Sequence, residues 1–180
     1  IRHCQEILSR DTRNRVVIVV APRILLATQL CEEFITGLNT ADECVVGHVH
    51  SGETHHWSST KADDISAFTQ LKDVLNCNVI LFTTYHSLHR IVESGIDIDI
   101  MYCDEAHNAT RKDFSISVSE ASKVAEKSFY FTATPRNTRD PHGTGMNNTA
   151  IFGNVLITVA ARELIESGSI IPPTVVPCEV

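Results

Sequence analysis

The sequence lacks the features that mark membrane-embedded and secreted proteins. In its 180 residues, no apolar run approaches the ~20 residues that a membrane-spanning helix needs. The first ten residues, IRHCQEILSR, lack the apolar core of a secretory signal peptide. These absences predict an intracellular, cytoplasmic protein without a membrane partner.

Paired cysteines are also missing. The six cysteines are scattered along the chain without a CxxC pair, at Cys4, Cys31, Cys44, Cys77, Cys103 and Cys178. Most have apolar neighbours, as small buried thiols do. We therefore expect reduced, structural cysteines.

The chain contains fewer basic residues than acidic ones. The chain has 15 Lys and Arg against 22 Asp and Glu, which gives a formal net charge of −7. Proteins that coat nucleic acid electrostatically usually have a basic face or a high isoelectric point. The charge balance therefore argues against that class, while it leaves room for a few local phosphate contacts.

Short apolar runs alternate with helical patterns along the chain. The runs are rich in β-branched or aromatic residues, have strand length and cover residues 16–21, 44–49, 78–84, 98–103 and 128–134. Apolar stripes at helical spacing run from Ala27 to Leu38, Ile65 to Leu75, Leu88 to Val92 and Val118 to Ala125. Because strands separated by helices need crossover connections, this order predicts an α/β sandwich around a parallel sheet.

Two adjacent carboxylates, Asp104 and Glu105, follow the strand predicted over residues 98–103. Acidic residues often mark only the point where a strand leaves the core. An Asp–Glu pair at a strand end can also hold a metal ion and activate water, as at the Mg²⁺ sites of nucleoside triphosphatases. The other strand ends bear on this choice, because ligands bind at the carboxyl ends of strands in open parallel sheets.

Polar residues gather at the same predicted edge of the sheet. Thr83 and Thr84, residues 132–134, and Pro22 with Arg23 stand at the ends of three other strands. Strand ends that are merely solvated would not need small hydroxyl residues repeated in one place. The pattern therefore favours a ligand site at this edge.

Four segments in order, APRILLATQL, FTTYHSL, CDEAH and FTATP, resemble the first RecA-like motor domain of superfamily-two DEAD/DEAH-type helicases and translocases. CDEAH resembles motif II, the Walker B sequence, and the TAT of FTATP resembles motif III. APRILLATQ resembles motif Ia, and the T-x-x-x-L of residues 84–88 resembles a further nucleic-acid motif. The resemblance implies a RecA-like three-layer sandwich with a mainly parallel sheet, ATP and Mg²⁺ as cofactors, and DNA or RNA as partner, with DNA slightly favoured.

The resemblance implies roles for the residues of CDEAH. Asp104 would bind the Mg²⁺ that bridges the β- and γ-phosphates, and Glu105 would orient and deprotonate the attacking water. His107 would link the nucleotide site to motif III and to the opposite motor domain. As an alternative, His107 only caps the turn.

Motif III and the nucleic-acid motifs receive roles in the same way. Thr132, Ala133 and Thr134 would couple the ATP state to domain closure, unless they are ordinary strand-end residues. The predicted contacts with the nucleic-acid backbone are Arg23, Thr83 and Thr84. Such phosphate contacts carry no sequence information. Ser51 and Gly52 could join them, although an ordinary turn explains these two residues as well.

A group of histidines offers an alternative site. His48, His50, His55 and His56 stand close together in the sequence, and clustered imidazoles can bind zinc or copper. No cysteine or well-spaced carboxylate completes a tetrahedral set, however. A strand followed by an exposed loop explains the segment better than an unrelated metal-dependent hydrolase does.

The sequence contains no G-x-x-x-x-G-K-[ST], the P-loop whose amides and lysine hold nucleotide phosphates. IRHCQEILS resembles the helix that follows a P-loop, and the residues from Ala160 onward resemble the passage out of the first motor domain. We therefore expect residues 1–171 to be the first RecA-like domain without its P-loop, and residues 172–180 to be a linker and the start of a second RecA-like domain.

The expected function is that of one part of an ATP-dependent helicase or translocase. The chain alone is predicted to be inactive, since it lacks half of the phosphate-binding apparatus. One alternative is a duplex-translocating ATPase subunit of a restriction or remodelling system. Another is a nucleic-acid-binding module that does not hydrolyse ATP, but the intact pair of Asp104 and Glu105 argues against it.

Overall fold

The apolar runs of the sequence form the strands of one sheet. The computed structural model describes residues 1–10, 13–38 and 44–172. The strands are β1 (Val16–Ala21), β2 (Cys44–Val49), β3 (Trp57–Ser58), β4 (Asn78–Thr84), β5 (Ile98–Cys103) and β6 (Ala125–Tyr130). The helices are α1 (Arg2–Arg10), α2 (Ile24–Gly37), α3 (Ala62–Thr69), α4 (Leu71–Val74), α5 (Leu88–Glu93), α6 (Lys112–Val124), α7 (Thr149–Phe152) and α8 (Ala161–Glu166), and a 3₁₀ helix covers Ala106–Thr110.

The strands lie in the order β3-β2-β4-β1-β5-β6, and each described pairing is parallel. The central strand β1 is buried along its whole length. Its residue Val17 pairs with Ile80 of β4 on one side and with Ile100 of β5 on the other. The predicted α/β fold with a parallel sheet is therefore confirmed.

Alternate residues of β1 enter two separate cores. Val16, Ile18 and Val20 pack with apolar residues of α3, α5 and α6 on one face of the sheet. Val17, Val19 and Ala21 pack with α1 and α2 on the other face. Since side chains alternate across a strand, this arrangement produces helix layers on both faces. The predicted three-layer sandwich is confirmed.

The predicted boundaries of the last strand are wrong. β6 covers Ala125–Tyr130 and not residues 128–134. Its second and third residues are the charged Glu126 and Lys127, and these two residue types are less common in strands. Glu126 is held at this edge strand by an ion pair with Arg13, at 2.7 Å between Nη2 and Oε2. Tertiary contacts therefore override the local apolar pattern.

The predicted helical stripes are partly correct. The stripe from Ile65 to Leu75 is divided into α3 and α4 by Gln70, and Leu75 is exposed. The chain then turns into β4 through Asn76, whose φ of 51° lies in the left-handed region. The stripe ending at Ala125 also stops one residue earlier, because Ala125 already begins β6.

Helix α8 confirms the helix predicted after Ala160, whereas residues 173–180, with Cys178, lie outside the described part. The five cysteines that are described are thiols. Burial raises the pKa of Cys4 and of Cys31 to about 11, as expected for structural cysteines. In the part of the chain that the structure describes, no helix is long and apolar enough to cross a membrane.

Candidate functional site

The acidic turn after β5 is fixed by the strands on both sides of it. The amide of Asp104 donates to the carbonyl of Val20 on β1 at 2.9 Å. On the other side, the amide of Phe131 donates to Cys103 O at 2.9 Å, and the amide of Ala106 donates to Phe131 O at 2.8 Å. The main chain of the acidic pair therefore lies between the carboxyl ends of β1 and β6, at the predicted edge.

Glu105 has a left-handed backbone conformation, with φ 45° and ψ 50°. This region is unfavourable for a residue with a Cβ atom and is often found at functional sites. The amide and the side-chain Nδ2 of Asn108 both donate to Glu105 O at 2.9 Å. These bonds hold the sharp turn from β5 into the 3₁₀ helix, and the Glu105 side chain remains 45% exposed.

His107 brings the acidic turn and residues 132–134 together. Its Nδ1 atom lies 3.0 Å from Thr132 Oγ1, 3.2 Å from Thr134 Oγ1 and 3.3 Å from Glu105 Oε2. The amide of Thr134 donates to Thr132 Oγ1 at 3.2 Å, which orders this segment after β6. Ala133 lies between the two threonines and is exposed. Four of the predicted site residues, Glu105, His107, Thr132 and Thr134, are thus in direct contact.

The second nitrogen of His107 indicates its tautomer. The amide nitrogen Nδ2 of Asn108 lies 3.4 Å from His107 Nε2, and an amide NH₂ can only donate. We therefore assign Nε2 as the acceptor and place the proton on Nδ1. An Nδ1–H group can then donate to Thr132 Oγ1 or to the Glu105 carboxylate, but not fully to both.

Asp104 differs from its neighbour in that its side chain has no partner in the described part of the chain. Its main chain is fixed, while its half-buried carboxylate makes no hydrogen bond or ion pair there. An open carboxylate of this kind fits Mg²⁺, which is bound through one or two protein carboxylates together with water and substrate phosphates. The described residues contain no group of three or more His, Cys, Asp or Glu that could hold a metal ion by themselves.

Tyr85 was missed by the sequence reasoning. Its hydroxyl donates to the carbonyl of Asp104 at 2.7 Å, and its amide donates to Ala21 O at 3.2 Å. The ring is buried and stacks on Phe114, with 6.0 Å between ring centroids. Burial, with smaller effects from Cys103 and Asp104, raises the pKa of Tyr85, so its hydroxyl is a donor. The only sequence signal was a tyrosine directly after a strand end.

Thr83 and Thr84 do not present their hydroxyls to solvent. Thr83 is 0% exposed, and its Oγ1 donates to Val49 O at 2.8 Å. Thr84 is 5% exposed, and its Oγ1 accepts from the amide of Ser87 at 3.2 Å. Direct hydroxyl contact with a phosphate backbone is therefore not supported for either residue. Their bonds stabilise the end of β4 and the turn that follows it.

Arg23 lies on the surface at the beginning of α2. Its backbone is extended, with φ −145° and ψ 154°, and it directly precedes the helix. The side chain is exposed and is not held by another described residue. The next two residues, Ile24 and Leu25, are also exposed. This position leaves Arg23 available to a ligand at the sheet edge.

His48 and His50 form a buried pair. Among the described residues, the histidines are not grouped with other ligands as a metal site would require. The amide of Gly52 donates to His50 Nδ1 at 3.2 Å, so the Nε2–H of His50 faces His48 Nδ1 at 3.0 Å. Burial, followed by His50 and His56, lowers the pKa of His48 to about 4, and burial lowers that of His50. His55 and His56 are exposed. A Cβ at Gly52 would lie 2.5 Å from Ile24 Cγ2, so a larger residue here would displace the Ile24 side chain.

The fold resembles those of several solved structures. One is a nuclease-deletion mutant of the Type ISP restriction-modification enzyme LlaGI in complex with a DNA substrate mimic, with a TM-score of 0.73, 20% identity, and coverage of 92% of this chain and 15% of that one. Another is the Pyrococcus furiosus Hef helicase domain, with a TM-score of 0.57, 19% identity, and coverage of 84% and 30%. A third is the Sulfolobus solfataricus SWI2/SNF2 ATPase core in complex with dsDNA, with a TM-score of 0.50, 18% identity, and coverage of 89% and 29%.

These similarities differ in what they establish. At 18–20% identity, the solved structures support the fold alone, and this chain spans 15–30% of their length. No curated protein gives a significant sequence match. Residues 2–137, well over half of the chain, match the sequence profile of a family described as "Type III restriction enzyme, res subunit". The chain therefore belongs to this ResIII family, and it shares the fold of the three solved structures.

Proposed function

We propose that the chain provides the Walker B and motif III side of an ATP-hydrolysing motor that moves on DNA. The observation that carries this proposal is the contact of His107 with Glu105, Thr132 and Thr134, next to the open carboxylate of Asp104. An exposed acidic turn would not need its glutamate held in a left-handed conformation beside a histidine and two threonine hydroxyls. A nucleotide-dependent site explains all of these features.

The two carboxylates would divide the chemistry between them. Asp104 would hold Mg²⁺, which would neutralise charge on the β- and γ-phosphates. Glu105 would orient the attacking water and accept its proton. Glu105 suits this role because its carboxylate is solvent-accessible while its backbone is fixed by Asn108. Successive residues at a strand end point in different directions, so the two groups can face different parts of the nucleotide.

His107 would communicate the state of Glu105 to motif III. Its single Nδ1–H can donate to the Glu105 carboxylate or to Thr132, which are 3.3 and 3.0 Å away. When Glu105 engages water, the imidazole proton becomes fully available to the threonine. A change at the nucleotide would then alter the hydrogen bonding of residues 132–134, which follow β6.

The proposal requires phosphate-binding groups that are not in residues 1–180. A motor of this kind needs the P-loop amides and lysine, and an arginine that stabilises the charge of the transition state. We propose that these come from other parts of a longer protein, including a second RecA-like domain. Residues 1–180 alone should therefore bind Mg·ATP weakly and show no DNA-stimulated hydrolysis.

We infer that the nucleic acid is duplex DNA. Two of the structurally similar proteins were solved with a DNA substrate mimic or with dsDNA, and the family is named after a restriction enzyme. On this chain, Arg23 is an exposed cation near the end of β1, at the carboxyl edge of the sheet, and would bind a backbone phosphate. Translocation on duplex DNA is distinguished from strand separation by combining a triplex-displacement assay with an unwinding assay.

The test is a comparison of carboxylate variants in the complete protein. Glu105→Gln keeps the size of the side chain but cannot accept a proton, so hydrolysis should fall by ~10²- to 10⁴-fold with ATP binding retained. Asp104→Asn should weaken Mg·ATP binding as well as turnover. Glu120→Gln, an exposed glutamate on α6, is the control and should behave like wild type. Wild-type hydrolysis by Glu105→Gln would refute the proposal.

A further inference from the structure

A single tyrosine connects three strand ends at the proposed site. Tyr85 directly follows β4, its amide donates to Ala21 at the end of β1, and its hydroxyl donates to Asp104 after β5. The side chain is 1% exposed, so these contacts are shielded from water. Tyr85 therefore reaches from the turn between β4 and α5, past the end of β1, to the acidic turn.

The bond to Asp104 acts on the backbone of the proposed catalytic pair. The carbonyl of Asp104 and the amide of Glu105 belong to the same planar peptide group. A hydrogen bond of 2.7 Å to this carbonyl therefore restricts the orientation of the peptide that leads into Glu105. Because Glu105 is in a left-handed conformation that a residue with a Cβ atom does not prefer, its geometry depends on such external contacts.

The other end of Tyr85 lies at the surface proposed for DNA. Ala21 is two residues before Arg23, and Tyr85 is followed by the exposed His86. His86 contacts Phe114 edge-on at 6.4 Å between ring centroids, and Phe114 stacks on Tyr85. A ligand that shifts the β1 end or the β4–α5 turn would therefore move Tyr85 through bonded and packed neighbours.

We propose that Tyr85 is a positioning residue that transmits DNA binding at the β1 and β4 ends to the Asp104–Glu105 turn. This inference rests on the proposed function, since it assumes that Glu105 acts on nucleotide and that Arg23 lies near DNA. Tyr85 would touch neither substrate. It would hold the peptide group between Asp104 and Glu105 in different orientations in the DNA-bound and DNA-free states.

The experiment compares Tyr85→Phe with Tyr102→Phe in the complete protein. Tyr102 is also buried next to this site, on β5 itself, but its hydroxyl bonds to His3 Nδ1 at 2.8 Å on the other face of the sheet. Both variants lose one buried hydroxyl and keep the ring. The measurements are DNA affinity, kcat and KM for Mg·ATP with and without duplex DNA, and hydrogen exchange of the amides of residues 104–108.

We expect the ratio of DNA-stimulated to basal kcat to fall by about fivefold or more in Tyr85→Phe, the effect of one hydrogen bond. KM for Mg·ATP and DNA affinity should change less than kcat. DNA binding should alter exchange at residues 104–108 in wild type and in Tyr102→Phe, but much less in Tyr85→Phe. If Tyr85→Phe does not fold, Phe114→Leu, which removes the ring stacked on Tyr85, should lower the same ratio.

Three results would overturn the inference, and they can be told apart. If wild type hydrolyses Mg·ATP and depends on Glu105, but Tyr85→Phe keeps the stimulation ratio of Tyr102→Phe, only the role of Tyr85 is refuted. An equal fall of basal and stimulated kcat would also refute it, because that pattern indicates a merely structural tyrosine. If wild type shows no DNA-stimulated hydrolysis at all, the proposed function fails and this inference fails with it.

Discussion

His107 Nδ1 lies 3.3 Å from Glu105 Oε2 and 3.0 Å from Thr132 Oγ1, so one imidazole nitrogen touches both the acidic turn and the segment that follows β6. The two partners are 27 residues apart in the sequence. They meet because Phe131 pairs with the β5 end and with Ala106, which places residue 132 beside the 3₁₀ helix. The contact is therefore a product of the parallel β5–β6 pairing and gives the site its proposed ability to couple.

The first prediction concerns this coupling. In the complete protein, His107→Ala should reduce hydrolysis far less than Glu105→Gln does, since the imidazole is not proposed to act on water. The distance moved along DNA per ATP should fall instead. If His107 works through Thr132, the losses from His107→Ala and Thr132→Val should not add in the double variant. Additive losses in that double-mutant cycle would show that the 3.0 Å contact is not the route.

The second prediction concerns the conformation of Glu105. Glycine adopts left-handed backbone angles without the Cβ clash, so Glu105→Gly should have a free energy of unfolding about 1 kcal/mol higher than Glu105→Ala. Both variants remove the carboxylate and should be equally inactive. Asn76, at φ 51° and away from the site, offers the matched comparison of Asn76→Gly with Asn76→Ala. Equal stability of the two Glu105 variants in urea unfolding would show that the left-handed backbone conformation of residue 105 is not strained.

The sequence predicts the sheet well because its strands are buried on both faces. A strand such as β1 must be apolar at every position, so its run of VVIVVA is visible without any partner. The carboxyl-edge position of Asp104 and Glu105 follows from the same alternation of strands and helices. Edge strand β6 is less visible, since the charged Glu126 and Lys127 are tolerated there, and Glu126 forms an ion pair with the distant Arg13.

The direction in which a polar side chain points is much harder to predict. Thr83 and Thr84 stand at the expected edge, yet their hydroxyls bond to the protein's own Val49 and Ser87. Hydroxyls satisfy local backbone groups as readily as they bind ligands, and the sequence pattern is the same in both cases. The role of Tyr85 is hidden for a related reason, because its partner is a backbone carbonyl, which every residue has.

The third prediction separates Arg23 from Thr84. Arg23→Ala should weaken binding to all DNA sequences about equally and reduce the salt dependence of binding by about one phosphate contact. Thr84→Val keeps the shape but removes the acceptor for the Ser87 amide, so it should lower the free energy of unfolding by ~1 kcal/mol. Its salt dependence should equal that of wild type. If the salt dependence of DNA binding were reduced in Thr84→Val, Thr84 would contact a phosphate directly, which its burial does not support.

The last prediction concerns the buried histidine pair and the pH dependence of stability. The pKa of His48 is lowered to about 4 in the folded protein, mainly by burial, against ~6.5 for an unfolded chain. Folding therefore favours the neutral imidazole, and this contribution is complete above pH 6.5 and is lost as the pH falls toward 4. His50 should act in the same direction, since burial also lowers its pKa.

Urea unfolding of the protein between pH 8 and pH 4.5 provides the measurement. Wild type should lose up to about 1.4 kcal/mol per pH unit for each histidine that must stay neutral, over the window below pH 6.5. His48→Gln has no proton to gain, so its free energy of unfolding should fall less steeply in that window. His55→Gln is the control, because His55 is exposed and should leave the wild-type slope unchanged. The same slope in His48→Gln and wild type would mean that His48 is free to charge in the folded state, which the 3.0 Å contact with His50 and the burial of both rings oppose.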